Sequence, residues 1–250
     1  MADLHKIVEY LERELRTAEI HDYPGAKNGL QLENNGEVNR IISAVDASLA
    51  VIEEAAKEGG LLLVHHGMFW QGVQPLTGPF FKKIKAALDG NLAIYSTHLP
   101  LDVHPVFGNN VLLAEAIGLT SIRPVLERNG FPMGVVGDWG RSREELESAV
   151  ERAVGQKVTV CPSGSAAIGE IAVITGGAGS QVAEVSDLGV DAFVTGEGPH
   201  WSYIDAEERG LNVLYAGHYA TETFGIRELG KRIGMEFDVD TKFIDRFGGL

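Results

Sequence analysis

The sequence predicts an α/β fold: two α/β lobes of similar layered architecture. Three observations predict it. Strand-like apolar runs alternate with helical segments along most of the 250 residues, the pattern of helices covering largely buried sheets. About ten strands are expected, more than one compact sheet usually takes. A stretch from Arg123-Pro124 to Gly130 interrupts the alternation and places a seam there, giving a first lobe at 1–125 and a second at 126–250. The terminal strand expected at 235–245 is a candidate to return to the first lobe.

Each element has a local reason. Leu4, Ile7, Val8, Leu11 and Leu15 recur at helical spacing within 3–16. IISAVDAS (41–48) is a buried-strand run, and a helix follows over 48–60 with Ser48 as its cap and Gly59-Gly60 as its stop. LLLVHHG (61–67) is a strand, 79–90 a helix opened by Pro79 and closed by Gly90, NLAIYSTH (91–98) a strand and 108–119 a helix. In the second half, MGVVGDWG reads as a strand and 142–155 as a helix with a capping box at Ser142 and Glu145. KVTVCP, GEIAVITGG, VDAFVTGE and LNVLYAGH are strand-like; SQVAEVSDLG, PHWSYIDAEERG and YATETFGIRELGKRIG are helix-like.

Composition narrows the function classes. A formal charge of −14 with no basic stripe argues against general nucleic-acid binding. Bound cations would reverse the local sign, so a small phosphorylated substrate stays open. No apolar run is long enough to span a bilayer, the N-terminus lacks a secretion signal, and the single Cys161 fits a reducing compartment, so a cytoplasmic location without membrane attachment is expected. Cys161 itself reads as a buried thiol rather than a nucleophile.

The chemistry collects in histidines. Of eight, His65, His66, His98, His104, His200 and His218 lie mostly at or just beyond the C-terminal ends of expected strands, the edge where open α/β sheets bind ligands. His5 and His21 read as structural. Adjacent residues of a regular strand face opposite ways, so His65 and His66 suit two ions better than one, provided the strand ends there and both rings lean over its tip. Gly67 allows the sharp exit this needs. His98 and Asp102 are four apart, but Pro100 places them in a loop leaving a strand. His218 and Glu222 have the same spacing on an expected helix and share one face. Imidazole nitrogens and carboxylates suit zinc, iron, manganese or nickel, and Glu222 or Asp102 is able to bridge two ions. Asp46 ends a strand as a candidate to orient a ligand histidine. TGGAGS (175–180) reads as a tight turn, while Glu197, His104 and His200 are candidates for contacts near the site.

NGLQLE (28–33), VHHGMFW (64–70), STHLPLD (96–102), GNN (108–110), TGE (195–197) and GHYATE (217–222), in this order, resemble the Nif-three-like family over essentially the whole chain. This is the family of dinuclear metal-centre hexameric proteins, often labelled GTP cyclohydrolase type 2 homologues, and the chain resembles its short form. The resemblance implies a two-metal site in the cleft between two α/β domains. It implies His65, His66, Asp102, His218 and Glu222 as ligands, with His98 as a further ligand or a catalytic proton-transfer group. It also implies a toroidal homohexamer, a trimer of dimers, with sites facing an inner cavity.

The expected activity is metal-dependent hydrolysis of a small phosphorylated, nucleotide-like or cyclic C–N bonded substrate. The competing expectation is a non-catalytic metal-stabilised ring acting as a binding scaffold or metallochaperone.

Overall fold

In the computed structural model, which describes residues 1–248, the Asp3 carboxylate accepts the Lys6 amide at 3.0 Å and caps α1 (Leu4–Leu15). The expected stripe Leu4, Ile7, Val8, Leu11 and Leu15 is its buried face. The chain folds as two compact units, Met1–Leu101 with Gly225–Arg246, and Asp102–Phe224 with residues 247–248.

In the first unit, β1 (Ala2–Asp3) pairs with β3 (Glu37–Val38) as a small ribbon. The main sheet contains β2 (Gly29–Leu32), β4 (Arg40–Asp46), β5 (Gly60–His66), β6 (Leu92–Ser96) and β13 (Asp240–Phe243), in the order β13-β4-β5-β6-β2. All neighbours are parallel except edge strand β2, which runs antiparallel to β6. Leu61, Leu62, Leu63 and Val64 are all fully buried, as expected of a central strand covered on both faces. Helices α2 (Leu49–Ala56) and α3 (Gly78–Asp89) bury Val51, Ile52, Ala55, Phe80 and Ala87 with Ile42, Leu62, Val64 and Ile94. Ser48 caps α2 through the Val51 amide, as its sequence predicts.

The second sheet has the order β7-β8-β10-β11-β12-β9, from β7 (Thr120–Arg128), β8 (Phe131–Ser142), β9 (Thr159–Pro162), β10 (Ala167–Val173), β11 (Ala192–Thr195) and β12 (Asn212–Tyr215). Its centre, β10-β11-β12, is parallel. Helices α5 (Asn109–Ile117) and α6 (Arg143–Val154) bury Leu113, Ala114, Leu146 and Val150 in one cluster, and the capping box of Ser142 and Glu145 is formed. Helices α7 (Val182–Ser186) and α8 (His200–Arg209) contribute Val182, Val185 and Ala206 to another cluster around Phe193.

Three local expectations change. β7 is a strand the sequence pattern does not announce; it turns into β8 through Asn129-Gly130, whose φ values of 52° and 83° are those of a tight hairpin turn. Pro124 is tolerated in β7 because that strand is an edge. Leu99–Asp102 is not a loop but a one-turn helix, α4. Pro100 lies in its first turn, where the missing amide hydrogen would have no helical acceptor. The end of the chain is strand only over 240–243, because α10 (Thr223–Phe237) runs on through Met235. The helical phase of Ile226, Leu229 and Ile233 continues to Phe237, which packs edge-on against Tyr10 at 5.6 Å. Gly230, in contact with Ser43, lets α10 lie close to β4.

Candidate metal centre

Parallel pairing of β4, β5 and β6 brings their C-terminal ends to one edge. That edge carries Asp46, His65, His66 and, two residues past β6, His98. The rings of the adjacent His65 and His66 approach each other, with centroids 4.8 Å apart. His98 is 5.0 Å from the first and 5.6 Å from the second. Each of the three histidines offers a ligand atom within 4.8 Å of the others, an arrangement able to hold a metal ion. Gly67 lies against the Gln31 amide whose oxygen accepts the Met68 N–H, so a Cβ there would push that amide aside.

The tautomers follow from the hydrogen bonds. His65 Nδ1 donates to the Thr97 carbonyl at 2.9 Å, His66 Nδ1 to Asp46 at 2.9 Å, and His98 Nδ1 to Asp22 at 2.9 Å. An oxygen acceptor fixes the proton on Nδ1, so the neutral ring carries its lone pair on Nε2, the nitrogen a metal takes. Asp46 thus orients His66, as its place at the end of β4 predicts. Asp22 also accepts from Asn28 Nδ2 and the Leu99 amide. Burial works against the Asp22 carboxylate, but hydrogen bonding and charge from His98 outweigh it and hold its pKa below the ordinary range.

The second unit repeats the device. Parallel β10, β11 and β12 end beside one another, followed by the Thr175–Gly177 turn, by Gly196-Glu197 and by the one-turn helix α9 (His218–Thr221) with Glu222 at its end. The Gly196 and Glu197 amides both donate to the Gly176 carbonyl at 2.9 Å, locking two of these ends together. Gly176 has φ +67° and no room for a Cβ, because the Glu222 carboxylate lies against it. The glycine pair of TGGAGS is therefore a tight turn shaped to that carboxylate.

His218 Nδ1 donates to Glu197 at 2.9 Å and Nε2 to Glu222 at 3.1 Å, the shared helical face the four-residue spacing predicts. Asp102 accepts from Asn109 at 2.8 Å and from the Thr175 hydroxyl, which also bonds Asn110. Asp102 and His104 line a cavity of about 360 Å³.

Burial disfavours the His218 imidazolium, but hydrogen bonds and charge from Glu222 and then Glu197 raise its pKa from 6.5 to about 9. The folded value lies above the unfolded one, so in metal-free protein this proton's stabilisation is complete below 6.5 and disappears as pH rises through about 9. NMR titration of the His218 ring is expected to show a midpoint well above 6.5, moving down in Glu197→Gln. A midpoint at or below 6.5 in the unaltered chain overturns this.

Other expected positions fall elsewhere. His200 is the exposed first residue of α8, and His5 and His21 are exposed. Cys161 is buried, with its sulfur 3.2 Å from the Ser163 hydroxyl. The sequence pattern does not reveal Asp22, Asn109 and Thr175, which hold candidate ligands from 76, 7 and 73 residues away. Asn109 in GNN and Thr175 in TGGAGS lie within motifs, whereas Asp22 lies in none. Among the described residues, no helix is long and apolar enough to cross a membrane.

The model of the Duf34/NIF3 (NGG1p interacting factor 3) family matches residues 2–247. A GTP cyclohydrolase 1 type 2 homolog of Deinococcus radiodurans is 36% identical, covering 98% of this chain and 94% of its own. The protein of the same name in Escherichia coli K12 is 37% identical, with 96% of each chain covered. Among solved structures, the protein ybgI, of unknown function, superposes over 100% of both chains with a TM-score of 0.92 and 35% identity. Reduced HcgD from Methanocaldococcus jannaschii has a TM-score of 0.86 at 29% identity, covering 98% of both chains.

Proposed function

Because the chain belongs to the Duf34/NIF3 family, we propose that it is a metal-dependent hydrolase holding two divalent ions. Its ligands are His65, His66, Asp102, His218 and Glu222, with His98 as the group that moves a proton. The substrate is a small phosphorylated, nucleotide-like or cyclic C–N bonded molecule, and the protein works in the cytoplasm. The observation that carries this reading is the shared tautomer of three rings: Nδ1 of His65, His66 and His98 each meets an oxygen acceptor, while His218, which donates to both Glu197 and Glu222, would give up its Nε2 proton to a metal. Nitrogen lone pairs on Nε2, with buried carboxylates at Asp102 and Glu222, fit zinc, iron, manganese or nickel.

Divalent ions held there would supply Lewis-acid charge to an attacked phosphoryl or ring carbon. The chain's own part is orientation and proton handling. Asp46 and Thr97 fix the rings of His66 and His65; Glu197 fixes His218. Asp22 holds the His98 ring through Nδ1, which aims the Nε2 lone pair as the group that takes up a proton.

Metal analysis of freshly purified protein, combined with anomalous scattering, tests the ligand set; ions bound elsewhere, or none, would sink it. Hydrolysis by metal-loaded protein should be assayed across phosphoesters, nucleotides and cyclic amidines. Activity undiminished in His66→Ala rules the mechanism out. Asp46→Asn is expected to weaken metal affinity by about 10–100-fold while the fold persists, measured by competition with a chromophoric chelator.

Self-association as a toroidal homohexamer completes the proposal. Exposed Trp201, Tyr203 and Ile204 on α8 give apolar surface suited to a second copy. Light scattering should give six times the monomer mass. If stripping the metals dissolves the ring and no turnover is ever detected, the scaffold or metallochaperone role replaces catalysis.

A further inference from the structure

The first unit contains a cavity of about 530 Å³ whose walls include Gly67, Met68, Trp70, Thr77, Phe80 and Lys83. That volume is in the range of small-molecule sites. Gly67 and Met68 directly follow the histidine pair, and the Trp70 ring packs at 5.8 Å on His66 and 4.9 Å on His98. Trp70 therefore links the cavity wall to those two rings. Trp70 is still 38% exposed, so its indole has surface left for another ring.

Lys83 gives the cavity its charge. Its side chain is half-buried, yet among the described residues it forms no ion pair, whereas Lys85 on the same helix pairs with Asp89 at 2.6 Å. Burial pulls its ammonium below the ordinary 10.5; the charge it feels is that of Asp46, which already binds His66. A partly desolvated cation without a partner is costly, and an anion in the cavity would offset the cost.

Resting on the hydrolase reading, we propose that this cavity is the substrate subsite and takes an aromatic oxyanion. Its charged group sits on the Lys83 ammonium and its ring against Trp70. Thr77 also lines this cavity, and its side chain carries a hydroxyl able to donate to an anion.

Three non-hydrolysable probes test this on the full chain, both metal-free and zinc-loaded: phenylphosphonate, benzoate and benzyl alcohol. The readout is the Trp70 indole resonance, assigned with Trp70→Phe. Phenylphosphonate should shift it in a saturable, salt-sensitive way. Lys83→Met should weaken that binding roughly tenfold, as loss of one charge-assisted contact does, and Lys83→Arg should keep it. Benzyl alcohol should bind far more weakly. Benzoate distinguishes the sources of charge: binding that depends on Lys83 shows that a carboxylate suffices, and weak binding assigns the site to phosphoryl groups. Unchanged affinity in both Lys83→Met and Lys83→Gln, or equal affinity for benzyl alcohol, overturns the proposal. Lys83-dependent binding by a protein with no metal-dependent turnover would remove the hydrolase reading alone.

Discussion

Glu222→Gln is expected to lower metal content and to cut metal-dependent turnover by about a thousandfold or more. The magnitude follows from several kcal/mol of Lewis-acid stabilisation at about 1.4 kcal/mol per tenfold in rate. Glu222 is only 2% exposed and lies against Gly176 and His218, so the neutral amide has the same shape but no charge for a cation. Loss of a buried carboxylate beside an imidazolium also predicts a lower His218 pKa in the metal-free variant. The check is metal stoichiometry by mass spectrometry beside single-turnover kinetics. Wild-type stoichiometry and turnover in Glu222→Gln would exclude this carboxylate from the centre.

Phe193→Ala is expected to destabilise the second unit by about 3–5 kcal/mol, the range for emptying a well-packed aromatic site. Phe193 is fully buried on central strand β11, within the cluster that includes Val136, Val182, Val185, Ala206 and Val213. Urea unfolding should be followed by Trp139 and Trp201, which belong to this unit, separately from Trp70. Two units need not unfold together, so the transition of the second is the one compared. A loss under about 1 kcal/mol would mean that the surrounding side chains collapse into the space. Thr195 and Glu197 follow Phe193 on the same strand end, so some weakening of the His218–Glu197 contact is expected as well.

Much of the site is legible in the sequence because its chemistry stands at strand ends, and strand ends are local. LLLVHHG announces a buried strand with two imidazoles at its tip, and GHYATE puts an imidazole and a carboxylate on one helical face. Where local signals conflict, tertiary context prevails. Pro100 argues against a helix, but one turn tolerates it at the start. MEFDVD alternates like a strand, but Phe237 finds Tyr10 by continuing the helix. β7 looks like a linker because its residues are largely exposed at an edge, although Asn129-Gly130 is a usable hairpin signal.

The chain's own pattern dictates the kind of most elements, the Ser48 and Ser142 caps, and which histidines and carboxylates stand at the ends of strands. Periodicity, capping and turn chemistry act over a few residues, so they are written locally. Folding in three dimensions was needed to settle which sheet takes α5, which oxygen holds each Nδ1, and that Asp22 meets His98 across 76 residues. Those encounters depend on strand order and parallel register, which bring distant segments to one edge and leave no periodic trace in the chain.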